Sequence, residues 1–295
     1  MTERIVEGYR RAPSALNFMS RALRRSPGLA RGAVIPPIAV QWNGVRIEPA
    51  QLEGFCRDTG LRADAGVPVL FPQVVGFRLQ MALLTHPAYP LPIWTALQVR
   101  NRLVRHVHVE PGEILDLRTH VGEQRTVEKG IEVDLVSRLM RGPVCCWEGR
   151  TTFFHRGRFG MPSSLEPRAV SPDLSEVPPV DRFRMPGGGG WAFGKLTGDY
   201  NGIHCWNWYA RRFGFPKAFP HPQRVAAMCQ SRLAGPDTEA QTLDLWIKGP
   251  VFYGAEVGLN AVDGEEGLRF GLSLEGDARS ALLGHWRAGA QPLSD

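Results

Sequence analysis

"LFPQVVGFRLQMALLTH", residues 70–86, carries apolar side chains on almost every side and only one charge, Arg78, before its terminal histidine. A helix this apolar has no face to give to water, so the segment predicts a buried helix starting near Pro72. Strand-like runs follow at 97–110, 114–123, 127–140 and 144–156, with turns at Pro111-Gly112, Gly122 and Gly142-Pro143. An apolar helix ahead of such strands should be wrapped by their sheet rather than laid upon it.

The pattern recurs. "AFPHPQRVAAMCQSRL", residues 218–233, resembles the first helix locally, and strand candidates follow at 242–248, 251–253, 256–261, 268–275 and 281–287. "EPGEILDL" at 110–117 and "YGAEVGLN" at 253–260 are similar turns in matching places. These matches predict an internal duplication: an α+β chain of two curved antiparallel sheets, each wrapping a long central helix.

Ahead of the first helix, "AVIPPIAVQWNGVRI" at 33–47 reads as strand, hairpin turn at Asn43-Gly44, strand. "EPAQLEGFCRDTG" at 48–60 reads as a short helix stopped by Gly60. Residues 160–190 hold Pro162, Pro167, Pro172, Pro178, Pro179 and Pro186, then Gly187 to Gly190, and read as an irregular linker. The glycine run also fits a phosphate loop, without that motif's lysine and hydroxyl. The expected organisation is an arm at 1–33, a first domain at 34–159, the linker at 160–190 and a second domain at 191–295.

Composition limits the function. With 295 residues, 43% of them hydrophobic and 22% charged, the chain can bury one large core or two ordinary ones. No charge-free apolar stretch reaches 18 residues, so no membrane span is expected. The net charge is +6, with arginines interleaved among acids rather than gathered in a stripe, which argues against nucleic acid. The basic excess suits a solvated surface or a phosphate-bearing small ligand such as coenzyme A. Arg10, Arg11, Arg21, Arg24 and Arg25 come without a long apolar run, unlike a secretory signal, and Glu3 and Glu7 argue against a transit peptide. Five scattered cysteines, Cys145 and Cys146 adjacent, show no metal spacing and suggest reduced thiols in the cytoplasm. His106 and His108 share a strand face without a third ligand, so no metal is expected.

"LTGDYNGIHCWNWYARRFGF", residues 196–215, holds the candidate chemistry. Gly198-Asp199 and Asn201-Gly202 are turn pairs, and a helical pattern begins only after them, expected at 205–213. A curled loop can bring Asp199 and His204 into one cavity, where a continuous helix would separate them. Imidazole titrates near the working range of a general acid or base, and a carboxylate beside it can hold a water. Capping explains the same residues: Asp199 on the turn, His204 at the helix start. Trp206 is expected inside and Trp208 at an entrance or subunit contact. Ser163 and Ser164 lie in the linker, and His155 and His285 have no readable partner.

This segment resembles the hydratase signature of the MaoC-like, R-specific enoyl-thioester hydratases: a Gly-Asp-x-Asn-Pro-x-His loop, then Ala-Arg, Gly-Phe and a His that opens the central helix. "VLFPQVVGFRLQMALLTH" and "VRNRLVRH" resemble the degenerate N-terminal hot-dog domain of the bacterial double-hot-dog members, and the likeness covers most of 34–287. It implies a double hot-dog fold and a metal-free, reversible syn hydration of a trans-2-enoyl thioester to an (R)-3-hydroxyacyl thioester. Asp199 and His204 then activate water, and Asn201 matches the loop's Asn. Asn201 is a candidate to position the substrate or to brace the loop, His221 to face the thioester or to cap the central helix, and Gln223 and Gly198 are further positioning candidates. The partner is an acyl thioester on coenzyme A or acyl carrier protein, which is substrate rather than cofactor. Read from position alone, Lys248 at a strand end and Arg224 in the first turn of the central helix are candidates for a carrier phosphate; an ordinary exposed lysine, and an acidic partner for Arg224, fit equally well. A homodimer is compatible with the likeness.

Two residues depart from the signature. Gly202 stands in place of proline. Pro222 stands where the family has a glycine whose N–H should donate to the thioester carbonyl, and proline has none. Gln223 offers a replacement amide. The second departure keeps other readings open: an acyl-thioester binding protein, a non-catalytic subunit of a heteromeric dehydratase, or a thioesterase.

Overall fold

The computed structural model describes residues 5–62, 66–163, 170–277 and 279–293. Glu3, Ser164 and Pro167, named above, lie outside these.

Strand β1 (Ile5–Tyr9) and helix α1 (Ala15–Ala22) form the arm. Then come β2 (Ile38–Arg46), α2 (Pro49–Thr59), α3 (Phe71–Leu84), β3 (Ala96–Arg105), β4 (Ile114–Val127), β5 (Gly130–Arg141) and β6 (Val144–Arg156). The second half runs β7 (Pro179–Arg184), α4 (Gly190–Thr197), α5 (Asn207–Arg212), α6 (Pro222–Gln230), β8 (Gln241–Ile247), β9 (Glu256–Val262), β10 (Leu268–Leu274) and β11 (Ser280–Ala288).

Among the described residues the strands join one eleven-stranded sheet in the order β1-β2-β4-β5-β6-β3-β8-β11-β10-β9-β7. The two expected sheets are therefore continuous. They meet where β3 pairs antiparallel with β8, Arg100 opposite Trp246 and Arg105 opposite Gln241. Outward from this seam the halves mirror each other: β3-β6-β5-β4-β2 on one side, β8-β11-β10-β9-β7 on the other. This is the duplicated hot-dog plan, with β1 added in parallel beside β2.

The helix at 70–86 forms as its apolar content demands: Phe71, Val74, Leu79 and Leu83 are fully enclosed. Its buried polar residues satisfy each other. Gln73 and Gln80 each donate to Thr151 Oγ1, at 2.9 and 3.0 Å. The partner helix α6 is shorter, nine residues against fourteen. Both have proline in the first turn, followed by glutamine: Pro72-Gln73 and Pro222-Gln223.

Several local expectations are corrected. Asn43-Gly44 is no hairpin turn but a bulge inside β2, where Trp42 pairs with Leu117 and Val45 with Leu115; Gly44 takes a φ of 70° there. Gly122 lies within β4, which runs on past a register shift between Val121 and Gln124. Residues 251–253 are not a strand. The linker at 160–190 contains β7, an edge strand paired with β9, with Pro179 at its first residue where an edge tolerates proline. By the mirror symmetry β7 is the counterpart of β2. His106 and His108 lie beyond the end of β3. Among the described residues, no helix is long and apolar enough to cross a membrane.

Candidate active site

The Asp199–His204 segment sits between β7 and α6; at the matching place in the first half, between β2 and α3, the described residues hold only α2. Its shape follows from local chemistry. Helix α4 ends at Gly198, whose φ of 77° closes the helix with a hydrogen bond from its N–H to the Gly194 carbonyl. The Asp199 N–H donates to Thr197 Oγ1 at 3.1 Å. Asp199 Oδ1 accepts the Asn201 N–H at 3.0 Å, and Asn201 Oδ1 accepts the Ile203 N–H at 3.3 Å, starting a single 3-10 turn at Gly202–His204. Each polar side chain thus braces the next stretch of loop. Asn201 is accounted for by this bracing, and Gly198 by its left-handed backbone.

The curl brings three ionisable side chains together. Asp199 Oδ2 stands 3.7 Å from His204 Nε2 and 3.7 Å from His221 Nε2. Both imidazoles are buried, and Asp199 retains the most exposure, 13% of its side chain. The two rings stack with centroids 3.9 Å apart. Their neighbours set the tautomers, because a carbonyl can only accept. His204 Nδ1 is 2.8 Å from the Phe219 carbonyl and carries the proton, which leaves its Nε2 lone pair facing Asp199. His221 Nε2 donates to the Asp199 carbonyl at 3.0 Å, and its Nδ1 is buried without a partner among the described residues.

Burial pushes the His204 pKa below the usual imidazole value, against the opposing pull of Asp199 and of the Phe219 carbonyl. His221 is pushed down further, by burial first and then by His204. Both rings are therefore neutral near neutral pH. The gap between Asp199 Oδ2 and His204 Nε2 exceeds a direct hydrogen bond and suits a shared water. The three ligand atoms also lie within 4.8 Å of one another. In this tautomer, however, His221 offers the cluster an N–H rather than a lone pair.

The remaining candidates are placed less centrally. Gln223 is buried, and its side-chain amide donates to Gln98 Oε1 at 3.0 Å. Its backbone N–H lies in the first turn of α6, where no carbonyl within the helix can accept it. Arg224 is not turned to solvent: it is buried, pairs with Asp58 at 2.7 Å and donates to the Gly188 carbonyl. It ties α6 to α2 and to the glycine run, so the anion it meets in this structure is Asp58. Lys248 is exposed just past β8.

The glycine run is a packing device at its end. A Cβ at Gly190 would run into the His204 carbonyl, and one at Gly194 would come within 2.8 Å of the Asp199 carbonyl. Gly202 is explained in the same way. A Cβ there would stand 2.7 Å from the Tyr209 ring, so the residue that replaces proline is the one that lets Tyr209 pack on the loop.

Trp206, expected inside on a helix, is 44% exposed; it stands in extended backbone just before α5, which begins at Asn207. His155 has partners the sequence hid, Tyr89 Oη at 3.2 Å and Thr95 Oγ1 at 3.0 Å. His285 Nε2 donates to the Glu266 carbonyl at 2.9 Å. Elsewhere, His106, Cys145 and Glu148 cluster within 4.8 Å. That carboxylate already meets His106 at 3.1 Å, Arg138 at 3.3 Å and the Leu293 N–H at 2.9 Å, which satisfies it without a cation. Two surface cavities of about 600 and 240 Å³, lined in part by Gly264 and His285 and by Ser175 and Glu256, lie away from Asp199.

Comparison with known proteins agrees with this plan. No family model matches the chain. The 3-hydroxyacyl-thioester dehydratase X of Mycobacterium tuberculosis is 26% identical over 257 residues, which span 86% of this chain and 91% of that protein. A crystal structure of HtdX from M. tuberculosis superposes with a TM-score of 0.72 at 24% identity, covering 84% of this chain and 99% of that one. A MaoC-like dehydratase from Phytophthora capsici gives a TM-score of 0.72 at 14% identity, covering 87% and 97%. A conserved M. tuberculosis protein with a double hotdog fold gives 0.54 at 14% identity, covering 88% and 96%. The chain thus has the double hot-dog fold, and over most of its length it is similar in sequence to a 3-hydroxyacyl-thioester dehydratase.

Proposed function

We propose that the protein is a 3-hydroxyacyl-thioester dehydratase, or enoyl hydratase, in which Asp199 and His204 hold the reacting water. The observation that carries this is the arrangement of Asp199 Oδ2 and the unprotonated His204 Nε2, 3.7 Å apart on one loop, with His204 fixed by the Phe219 carbonyl.

In the hydration direction, the water bridges the carboxylate and the imidazole. One of its protons passes to this pair as its oxygen bonds to C3 of the trans-2-enoyl thioester. The C2=C3 π electrons move to C2 and the thioester oxygen as an enolate. A proton returned to C2 from the same pair, on the same face, completes a syn addition. The enolate oxygen needs donors. Pro222 supplies none, which leaves the backbone N–H of Gln223, at the positive end of α6, as a partial replacement. Neutral rings suit this chemistry, since a protonated His204 could not accept from water.

The carrier, coenzyme A or acyl carrier protein, belongs to the substrate, and no separate cofactor enters these steps. A cytoplasmic location fits five cysteines that are all free, and a homodimer is compatible with the fold. The first half carries no counterpart of the Asp-x-Asn-x-x-His loop and serves as the wall of the acyl site.

Incubation with trans-2-butenoyl-coenzyme A tests the reading. Gain of one water without release of thiol is the expected result. Thiol release would make the protein a thioesterase, and no change on any acyl length or carrier would leave it a binding protein.

A further inference from the structure

We propose that the surface outside the Asp199–His204 loop is a docking site for an acidic acyl carrier protein. This rests on the dehydratase reading above and narrows its substrate from any acyl thioester to one delivered on a protein.

Four large side chains stand open on this surface: Trp191 at 53% exposure, Trp206 at 44%, Trp208 at 59% and Phe213 at 46%. They form one patch. Trp191 lies 6.2 Å from Trp206, Trp206 lies 6.3 Å from Trp208, and Tyr209 links Trp208 to Phe213 at 5.6 and 5.0 Å. Contiguous exposed tryptophans are uncommon on a surface that meets only water, and tryptophan, tyrosine and arginine are the residue types that anchor protein interfaces. The patch adjoins the catalytic loop: Trp191 packs on Tyr200, next to Asp199, at 4.9 Å.

Its charge is one-sided. Lys195, Arg211, Arg212 and Lys217 are exposed across residues 190–217, and the single acid there is Asp199, which faces the histidines. None of these four cations forms an ion pair among the described residues. A cationic rim around an aromatic centre fits an acidic protein face, which gains steering from the rim and burial from the rings.

Other occupants fit less well. A second copy related by a twofold axis would set these unpaired cations against their own equivalents. A membrane-surface helix is usually a long amphipathic one, whereas α4 and α5 have eight and six residues. The nucleotide of coenzyme A takes a concave site, and neither surface cavity touches this patch.

The test compares trans-2-butenoyl thioesters of acyl carrier protein and of coenzyme A with wild type, Trp208→Ala and Arg212→Glu/Lys217→Glu. The expected result is a rise in KM of about tenfold or more for the carrier-protein substrate in both variants, with kcat/KM on coenzyme A within about twofold of wild type. Equal losses on both substrates, or none, overturn the proposal. Direct titration with unacylated holo-carrier protein separates docking from chemistry. Salt-sensitive binding weakened in the variants supports the site even if neither thioester turns over, an outcome that would sink the dehydratase reading alone. No binding to wild type, self-association lost in Trp208→Ala, or binding only to anionic vesicles overturns the docking.

Discussion

The rings of His204 and His221 stack 3.9 Å apart and both are held neutral, by burial and, for His221, also by the neighbouring ring. A base that must accept from water works only in its neutral form. Activity should therefore persist on the acid side to below 6.5, the ordinary imidazole value. The kcat/KM profile against pH checks this, and an acidic limb at or above that value would contradict it.

Pro222 leaves the start of α6 one donor short. Pro222→Gly restores an N–H at the first helical position, and kcat should rise about tenfold or more, since a single oxyanion donor commonly contributes that much or more. The freer unfolded chain should lower stability by about 1 kcal/mol. Steady-state kinetics with a parallel melting curve separate the two effects, and an unchanged kcat would show that another group already fills the role.

Gly202 offers a sharper test of the loop. Restoring the signature's proline puts a Cβ 2.7 Å from the Tyr209 ring. Gly202→Pro should destabilise the protein by about 1–3 kcal/mol. A second change, Tyr209→Ala, should relieve part of that loss, and additive losses in a double-mutant cycle would show that the ring is not the obstacle.

His155 links stability to pH. Burial lowers its pKa from 6.5 to about 4, so the unfolded chain binds a proton first as pH falls. Its stabilising contribution is full above 6.5 and is lost as pH falls from there toward about 4. Between ~pH 7 and ~pH 5 this removes about 2 kcal/mol. His155→Gln should flatten urea-unfolding stability over that range, and an unchanged slope would exclude His155 as the source.

The helix at 70–86 was legible because it has no polar face, and the duplication because two helices precede two similar sets of strands. The same duplication implies a strand ahead of α4, yet prolines at 178 and 179 masked β7, since an edge strand tolerates what a central one does not. Asn43-Gly44 reads as a turn because a bulge and a hairpin use the same residues. In the site, Asp199 and His204 were visible from loop chemistry and signature. The stacking of His221 on His204, the Asp58 partner of Arg224 and the fit of Gly202 beneath Tyr209 depend on contacts between distant elements, which spacing does not encode. Trp206 misled because the helical pattern reads from 205, whereas α5 begins at Asn207 and leaves Trp206 before it in extended backbone.

The central claim is that Asp199 and His204 serve one water. Loss of enoyl absorbance from a trans-2-enoyl thioester, followed for wild type, Asp199→Asn and His204→Ala with matched circular dichroism, tests it directly. Expected are hydration by wild type and a fall of about two to four orders of magnitude in each variant without loss of fold. Variants that retain near wild-type rates, or a wild type that leaves the double bond untouched, would contradict it.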